Sequence, residues 1–202
     1  MTTLKCLIVL LTGYILGSLS FSIVLSRILF HRDIRRHGSG NAGATNMTRV
    51  FGWGAGVATL AFDMAKGAAA MLIGRQLLGD LGICLGGIAV MCGHCWPAFH
   101  QFKGGKGIAV GAALGLMIDW RVFVCIVVVF LIAAFLSKKV SVGSLCAAVS
   151  IVPATLIFAS KPPFIVLAAF GMCVTILRHK ENIKRLLAGT EPDFKAGKQE
   201  NK

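Results

Sequence analysis

The chain has 202 residues, of which 56% are hydrophobic and only 14% charged, and its net charge is +13. Soluble domains carry about 25% charged residues, so the polar deficit excludes an ordinary soluble domain and points to a polytopic membrane protein. In that setting 21 Lys and Arg against 8 Asp and Glu signal the positive-inside bias and contact with membrane lipid, with no nucleic-acid partner.

Seven apolar runs of roughly spanning length follow one another. The first covers 4–26, retained as a span because no small-residue cleavage site follows a short apolar core. The second covers about 52–74, the third 81–95, the fourth 107–119, the fifth 121–136, the sixth 140–159 and the seventh 163–178. The third and fourth are short, which suits tilted helices or helices buried among neighbours. With the N-terminus outside, the loops 27–50, 94–106 and 137–139 and the tail from 178 hold 16 of the 21 cations on the inner side. Four cations fall outside, and Lys66 lies within the second span. The expectation is an all-α, polytopic, seven-helix membrane protein in one domain, 1–202, with its C-terminus in the cytoplasm and a solvated, flexible tail over 192–202.

Between the first two spans, "HGSGNAGATN" (37–46) satisfies G-x-G-x-x-G. A dinucleotide turn needs a preceding strand and an acidic residue about 20 positions later. Here "FHRDIRR" precedes it and Asp63 lies inside a span, so that reading is set aside. The glycines still permit a backbone nest for an anion. Ser39, Asn41, Thr45 and Asn46 add neutral donors, and Arg35, Arg36 and Arg49 add charge.

Asp63 and Lys66 share a helical face inside the second span. Such charges mark either a functional site or a buried structural pair. Next, Cys92-Gly93-His94-Cys95 spells C-x-x-C, but no second ligand pair completes a zinc site and no βαβ context supports a dithiol redox centre. The seven scattered cysteines behave as small hydrophobes. His94, beside basic loops, is either a phosphate donor or a packing histidine. "FKGGKG" (102–107) places Lys103, Gly104, Gly105 and Lys106 just before a span, where a helix N-terminus favours phosphate. It is not a Walker A loop. The tail "ILRHKENIKRLLAGTE" (176–191) reads as a short basic helix with His179 and Asn182 on one face.

Four segments, "DIRRHGSGNAGATNMTR" (33–49), "DMAKG" (63–67), "GHCWPAFHQFKGGKG" (93–107) and "RHKENIKRLLAGTE" (178–191), together resemble the bacterial PlsY family of acyl-phosphate:glycerol-3-phosphate acyltransferases in order and spacing. The third segment departs from the family's apolar pattern at His100-Gln101, so His100 is left out of the site. The resemblance implies transfer of an acyl group from acyl phosphate to the 1-hydroxyl of glycerol-3-phosphate, giving lysophosphatidic acid for phospholipid synthesis. It implies an enzyme of the bacterial cytoplasmic membrane with its active site facing the cytoplasm, formed by segments about 27–50, 94–107 and 178–191. Acyl phosphate is already activated, so no cofactor and no metal are needed. Handover from the soluble enzyme that makes acyl phosphate belongs to the same expectation.

Carried over residue by residue, the phosphate-binding set is Ser39, Gly40, Asn41, Asn46, Arg49, Lys66, His94, Lys103, Gly104, Gly105, Lys106 and Glu191, and the catalytic pair is His179 and Asn182. No histidine stands in H-x₄-D, so the dyad of coenzyme A-dependent acyltransferases is absent, and His179 competes with a substrate phosphate for the role of base. An organic-anion transporter is the alternative from another class, with Asp63 and Lys66 along its path. A membrane thiol oxidoreductase built on Cys92 and Cys95 is the other.

Overall fold

The computed structural model describes residues 1–194, and all regular structure among them is helical. The elements are α1 (Thr2–Ser18), α2 (Phe21–Phe30), α3 (Ala44–Phe51), α4 (Trp53–Cys95), α5 (Ile108–Ile118), α6 (Trp120–Ser137), α7 (Val140–Phe158), α8 (Pro162–Arg178) and α9 (Lys180–Leu187). Four stretches are long and apolar enough to cross a membrane: Thr2–Phe30, Trp53–His100, Trp120–Ser137 and Val140–Phe158. Among the described residues, α8 passes the same test only together with α9, from which it is bent by 58°. Much of α6 is apolar surface turned outward, with Leu131, Ile132, Phe135 and Leu136 all exposed, an arrangement that suits lipid and not water.

The segment α4 is two antiparallel arms. Gly79 adopts φ 60°, ψ −136°, and from it the chain doubles back, so Gly82 lies against the Gly74 carbonyl and Gly86 against that of Ala70. A Cβ at Gly86 would come within 2.7 Å of the Ala70 oxygen. Lipid supplies no hydrophobic drive between helices, so small residues that admit close backbone contact hold such pairs together. The same logic seats α1 on the second arm, where Gly13 and Gly17 face Ala89, Val90 and Gly93. Tyr14 Oη completes that junction by donating to the Trp96 carbonyl at 2.9 Å.

The expected first span 4–26 lies within the candidate span Thr2–Phe30, which is broken where Leu19 and Ser20 are extended (ψ 103° and 97°) and separate α1 from α2. Lys66, expected at a phosphate, closes that break. Its ammonium donates to the carbonyls of Gly17 (3.0 Å) and Leu19 (2.6 Å) and sits 2.7 Å from Asp63 Oδ1. Its side chain is 3% exposed, and the hydrogen bonds of its ammonium go to backbone carbonyls. Removing one member of a buried pair strands the other charge at a cost of about 3–5 kcal/mol. Lys66→Met is therefore expected to lower stability by about that amount in denaturation of the detergent-solubilised protein, and Asp63→Leu with Lys66→Met by much less.

The loop 27–50 is more ordered than its glycine content suggests, since it contains the end of α2, a 3₁₀ turn at Ile34–Arg36 and most of α3. The expected tail 192–202 is partly corrected. Residues 192–194 run along the protein, with Phe194 N donating to the Lys138 carbonyl at 3.0 Å. Its remainder, 195–202, lies outside the described residues.

Candidate active site

Three segments distant in sequence converge at the ends of α2, α4 and α8. The glycine loop preceding α3 is held from beneath by Asn46. Its side-chain oxygen accepts from Ser39 N at 2.9 Å, and its amide donates to the carbonyls of His37 and Asn41 at 3.0 Å each and of Ile34 at 3.3 Å. Asn46 is 1% exposed, so its place is that of a strut under the loop. Gly38 and Gly40 have φ of 57° and 71°, and the Gly40 N–H is spent on the His37 carbonyl. The backbone N–H groups of Ser39 and Gly40 thus form no nest; the donors facing outward are the exposed Ser39 side chain and the half-buried Asn41.

The second segment, 102–107, packs onto this loop through Gly105. Its N–H donates to the His94 carbonyl at 3.1 Å, and a Cβ there would crowd the His94 ring and lie 2.9 Å from the Ala42 oxygen. Gly105 and His94 are thus packed against each other beneath the loop. His94 is 5% exposed, with Nδ1 3.7 Å from Asp63 Oδ1, so it is a packing histidine beneath the loop. Gly105→Ala is expected to push the two loops apart, costing about 1–3 kcal/mol of stability and at least tenfold in kcat/KM, to be checked by steady-state kinetics beside thermal unfolding.

Arg178 joins the third segment to the second. Nε and a terminal nitrogen donate to the carbonyls of Gly105 and Gly104 at 3.1 Å each, and its guanidinium lies 5.6 Å from the Trp96 ring centre. A cavity of about 630 Å³ opens at this junction. It is lined by five cations, Arg27, Arg35, Arg36, Lys103 and Arg178, against the one carboxylate of Asp33, with Gly40, Asn41 and Gly104 in its wall. Arg35 and Arg27 both bond Asp33, at 2.8 and 2.7 Å, and the Arg35 hydrogen bonds hold that carboxyl well below the usual range. Lys103 and Arg36 are exposed, and neither has an ion-pair partner among the described residues.

Beside the cavity runs a direct chain of side chains. Lys106 Nζ donates to Asn182 Oδ1 at 2.5 Å, Asn182 Nδ2 to Glu191 Oε1 at 2.6 Å, and Arg185 Nε to Glu191 Oε2 at 2.7 Å. Burial, reinforced by Arg185, lowers the Lys106 pKa to about 8. Arg49, half-buried on α3, adds its charge to the same field and has no carboxylate partner among the described residues.

His179, at the junction of α8 and α9, is 2% exposed. Its Nδ1 lies 2.8 Å from the Thr175 carbonyl oxygen. A carbonyl only accepts, so Nδ1 carries the hydrogen and Nε2 keeps a lone pair. Burial outweighs that bond and pushes the pKa down to about 4, with the positive charge of Lys106 acting in the same direction. The ring is neutral at physiological pH and oriented as an acceptor.

The structure thus gathers Lys106, Asn182, Glu191, His179 and Arg49 in one cluster, and lines the adjoining cavity with Gly40, Asn41, Lys103 and Gly104. It places Lys66, His94, Asn46 and Gly105 underneath. Arg178 and Arg185 were not in the expected set. Their signal was adjacency to His179 and an i+3 offset from Asn182.

A sequence model of the family described as glycerol-3-phosphate acyltransferase matches residues 7–189. The chain belongs to the glycerol-3-phosphate acyltransferase family. It is 38% identical over 179 residues to the glycerol-3-phosphate acyltransferase of Thermoanaerobacter pseudethanolicus, covering 89% of this chain and 90% of that one. It is 39% identical over 191 residues to that of Syntrophotalea carbinolica, covering 94% and 97%. A crystal structure of PlsY (YgiH), an integral membrane glycerol 3-phosphate acyltransferase in its glycerol 3-phosphate form, superimposes with a TM-score of 0.89 at 33% identity, covering 94% of this chain and 96% of that one. Its lysophosphatidic acid form gives 0.87 at 31% identity, covering 94% and 95%. This member of the acyltransferase family is accordingly a multi-pass integral membrane enzyme of the PlsY type.

Proposed function

We propose that the protein transfers a fatty acyl group from acyl phosphate to the 1-hydroxyl of glycerol-3-phosphate, giving lysophosphatidic acid and phosphate in phospholipid synthesis. The observation that carries this reading is the chain Lys106–Asn182–Glu191 beside neutral His179, next to a cavity with five cations. Two phosphate-bearing substrates need that much positive charge, and the glycerol 3-phosphate and lysophosphatidic acid forms of the PlsY structures support the same pair of acceptor and product.

In the reaction the glycerol-3-phosphate hydroxyl oxygen attacks the acyl carbonyl carbon. The bond from that carbon to the phosphate oxygen breaks, and phosphate leaves with the electron pair. Lys106, Arg49 and Lys103 stabilise the charge that gathers on the leaving group, while Asn182 and Arg178 fix the loops that orient it. The hydroxyl proton passes to Nε2 of His179. Because the donor is an activated anhydride, much of the acceleration comes from holding the two reactants together.

Counting each arm of α4 and the short α5 as crossings gives seven spans. The loop charges support an outer N-terminus and a cytoplasmic site in the bacterial inner membrane. The acyl tail then stays in the bilayer while its head meets the loops, in a single acyltransferase domain supplied by a soluble producer of acyl phosphate. Detergent-solubilised protein given acyl phosphate and labelled glycerol-3-phosphate is expected to form labelled lysophosphatidic acid. A transporter makes no product without a sealed membrane, so folded protein that forms none while moving glycerol-3-phosphate into vesicles would overturn the reading.

A further inference from the structure

The matched family segment ends at Gly189, yet the carboxylate that completes the Lys106–Asn182 chain stands two residues beyond it. After α9 the chain turns at Gly189 (φ 69°) and tucks back, Thr190 and Glu191 N both donating to the Arg185 carbonyl, at 2.8 and 3.2 Å. Pro192 follows, with its restricted φ. Three contacts then tie the next two residues to other elements. Asp193 Oδ1 lies 2.6 Å from Lys139 Nζ, Phe194 N donates to the Lys138 carbonyl at 3.0 Å, and the Phe194 ring meets Trp53 edge-on at 5.7 Å between centres. Lys138, in the left-handed conformation that caps α6, supplies the carbonyl, and Trp53 opens α4.

We infer that residues 192–194 form a latch that fixes Glu191 in the site, with Phe194 and Lys139 acting as positioning residues for acyl transfer. This rests on the reading of Lys106, Asn182 and Glu191 as site residues. Glu191 is held on its N-terminal side by α9 and on its C-terminal side by the α6–α7 turn and the head of α4. Residues 191–194 thereby tie α9 to the α6–α7 turn and the head of α4. The two Glu191 oxygens take bonds from Asn182 and Arg185, and the Ser141 hydroxyl at the start of α7 also acts on the carboxylate, so a shift of the backbone at 191 moves Asn182, and through it the Lys106 ammonium.

The test is a double-mutant cycle through Glu191. Phe194→Ala in the full chain is expected to lower kcat/KM about tenfold, since displacements of about 1 Å in a positioned site cost up to about 10²-fold. Phe194→Leu is expected to recover most of the loss. In a Glu191→Gln background the same Phe194→Ala change is expected to cost less than about twofold, because the group it positions is already altered. Lys139→Met is expected to follow Phe194→Ala, and Lys139→Arg to retain activity, which gives a second route should Phe194→Ala accumulate poorly. Equal losses in both backgrounds, or full activity of both Phe194→Ala and Lys139→Met, would overturn the latch. Full activity of Glu191→Gln itself would instead overturn the site reading on which the latch depends.

Discussion

His179→Ala is expected to lower kcat by about 10²–10⁴-fold while leaving KM for glycerol-3-phosphate within a few-fold, the range for loss of a positioned general base. The geometry sets this outcome. The Nδ1 hydrogen is committed to the Thr175 carbonyl at 2.8 Å, so the neutral ring has one basic position, Nε2, and one orientation. In the free protein its pKa lies near 4 because of burial, with Lys106 and Arg178 opposing the charged form. Two incoming phosphates reverse that field, since nearby negative charge stabilises the imidazolium. The acid limb of kcat, which reports the substrate complex, is therefore expected at higher pH than the group's value of about 4 in the free protein. His179→Gln should lose that limb along with the rate. If His179→Ala kept nearly full turnover at saturating substrates, the base would be a substrate phosphate.

The second large effect belongs to Lys106. Lys106→Met is expected to reduce kcat/KM by about 10²–10³-fold, the scale for deleting one preorganised donor to a developing negative charge. Its pH dependence has a definite sign. A lysine pKa lowered to about 8 means that the ammonium is present below that value and lost above it. The free-enzyme profile of kcat/KM is therefore expected to fall as pH rises through about 8. Lys106→Arg should push this limb beyond the accessible range, because guanidinium stays protonated, although its fork will not reproduce the 2.5 Å contact with Asn182. A flat kcat/KM profile from pH 7 to pH 10, with Lys106→Met fully active, would remove Lys106 from the reaction.

Much of the helical frame was legible in the sequence. The apolar runs 107–119, 121–136, 140–159 and 163–178 correspond to α5, α6, α7 and α8 within about two residues, because composition alone decides which stretches prefer lipid. The break at Leu19 and Ser20 was hidden. Both residues sit in apolar surroundings, and the break is stabilised by Lys66, 47 positions beyond Leu19 in the chain. Helix α3 was hidden by the glycines before it, whose role is to let the chain pass over Asn46.

At the site, the tail helix and the FKGGKG loop were both legible as parts of one cluster, because the charge count put them on one side. Composition does not distinguish a polar residue that touches substrate from one that supports the loop that does. Asn46, His94 and Lys66 are buried at 1%, 5% and 5% exposure, and each is used by backbone or by Asp63. Arg178 was legible only as one cation among many. Its role depends on the carbonyls of Gly104 and Gly105, which turn toward it only once α8 is packed beside α4 and α5.

The central claim is that an acyl phosphate, and no thioester, acylates glycerol-3-phosphate in this site. Purified protein supplied with labelled glycerol-3-phosphate and either acyl phosphate or acyl-coenzyme A tests it most directly. The predicted result is lysophosphatidic acid from acyl phosphate alone, with one inorganic phosphate released per molecule of product. Product from acyl-coenzyme A at a comparable rate, or acyl phosphate consumed without acylation of glycerol-3-phosphate, would contradict it.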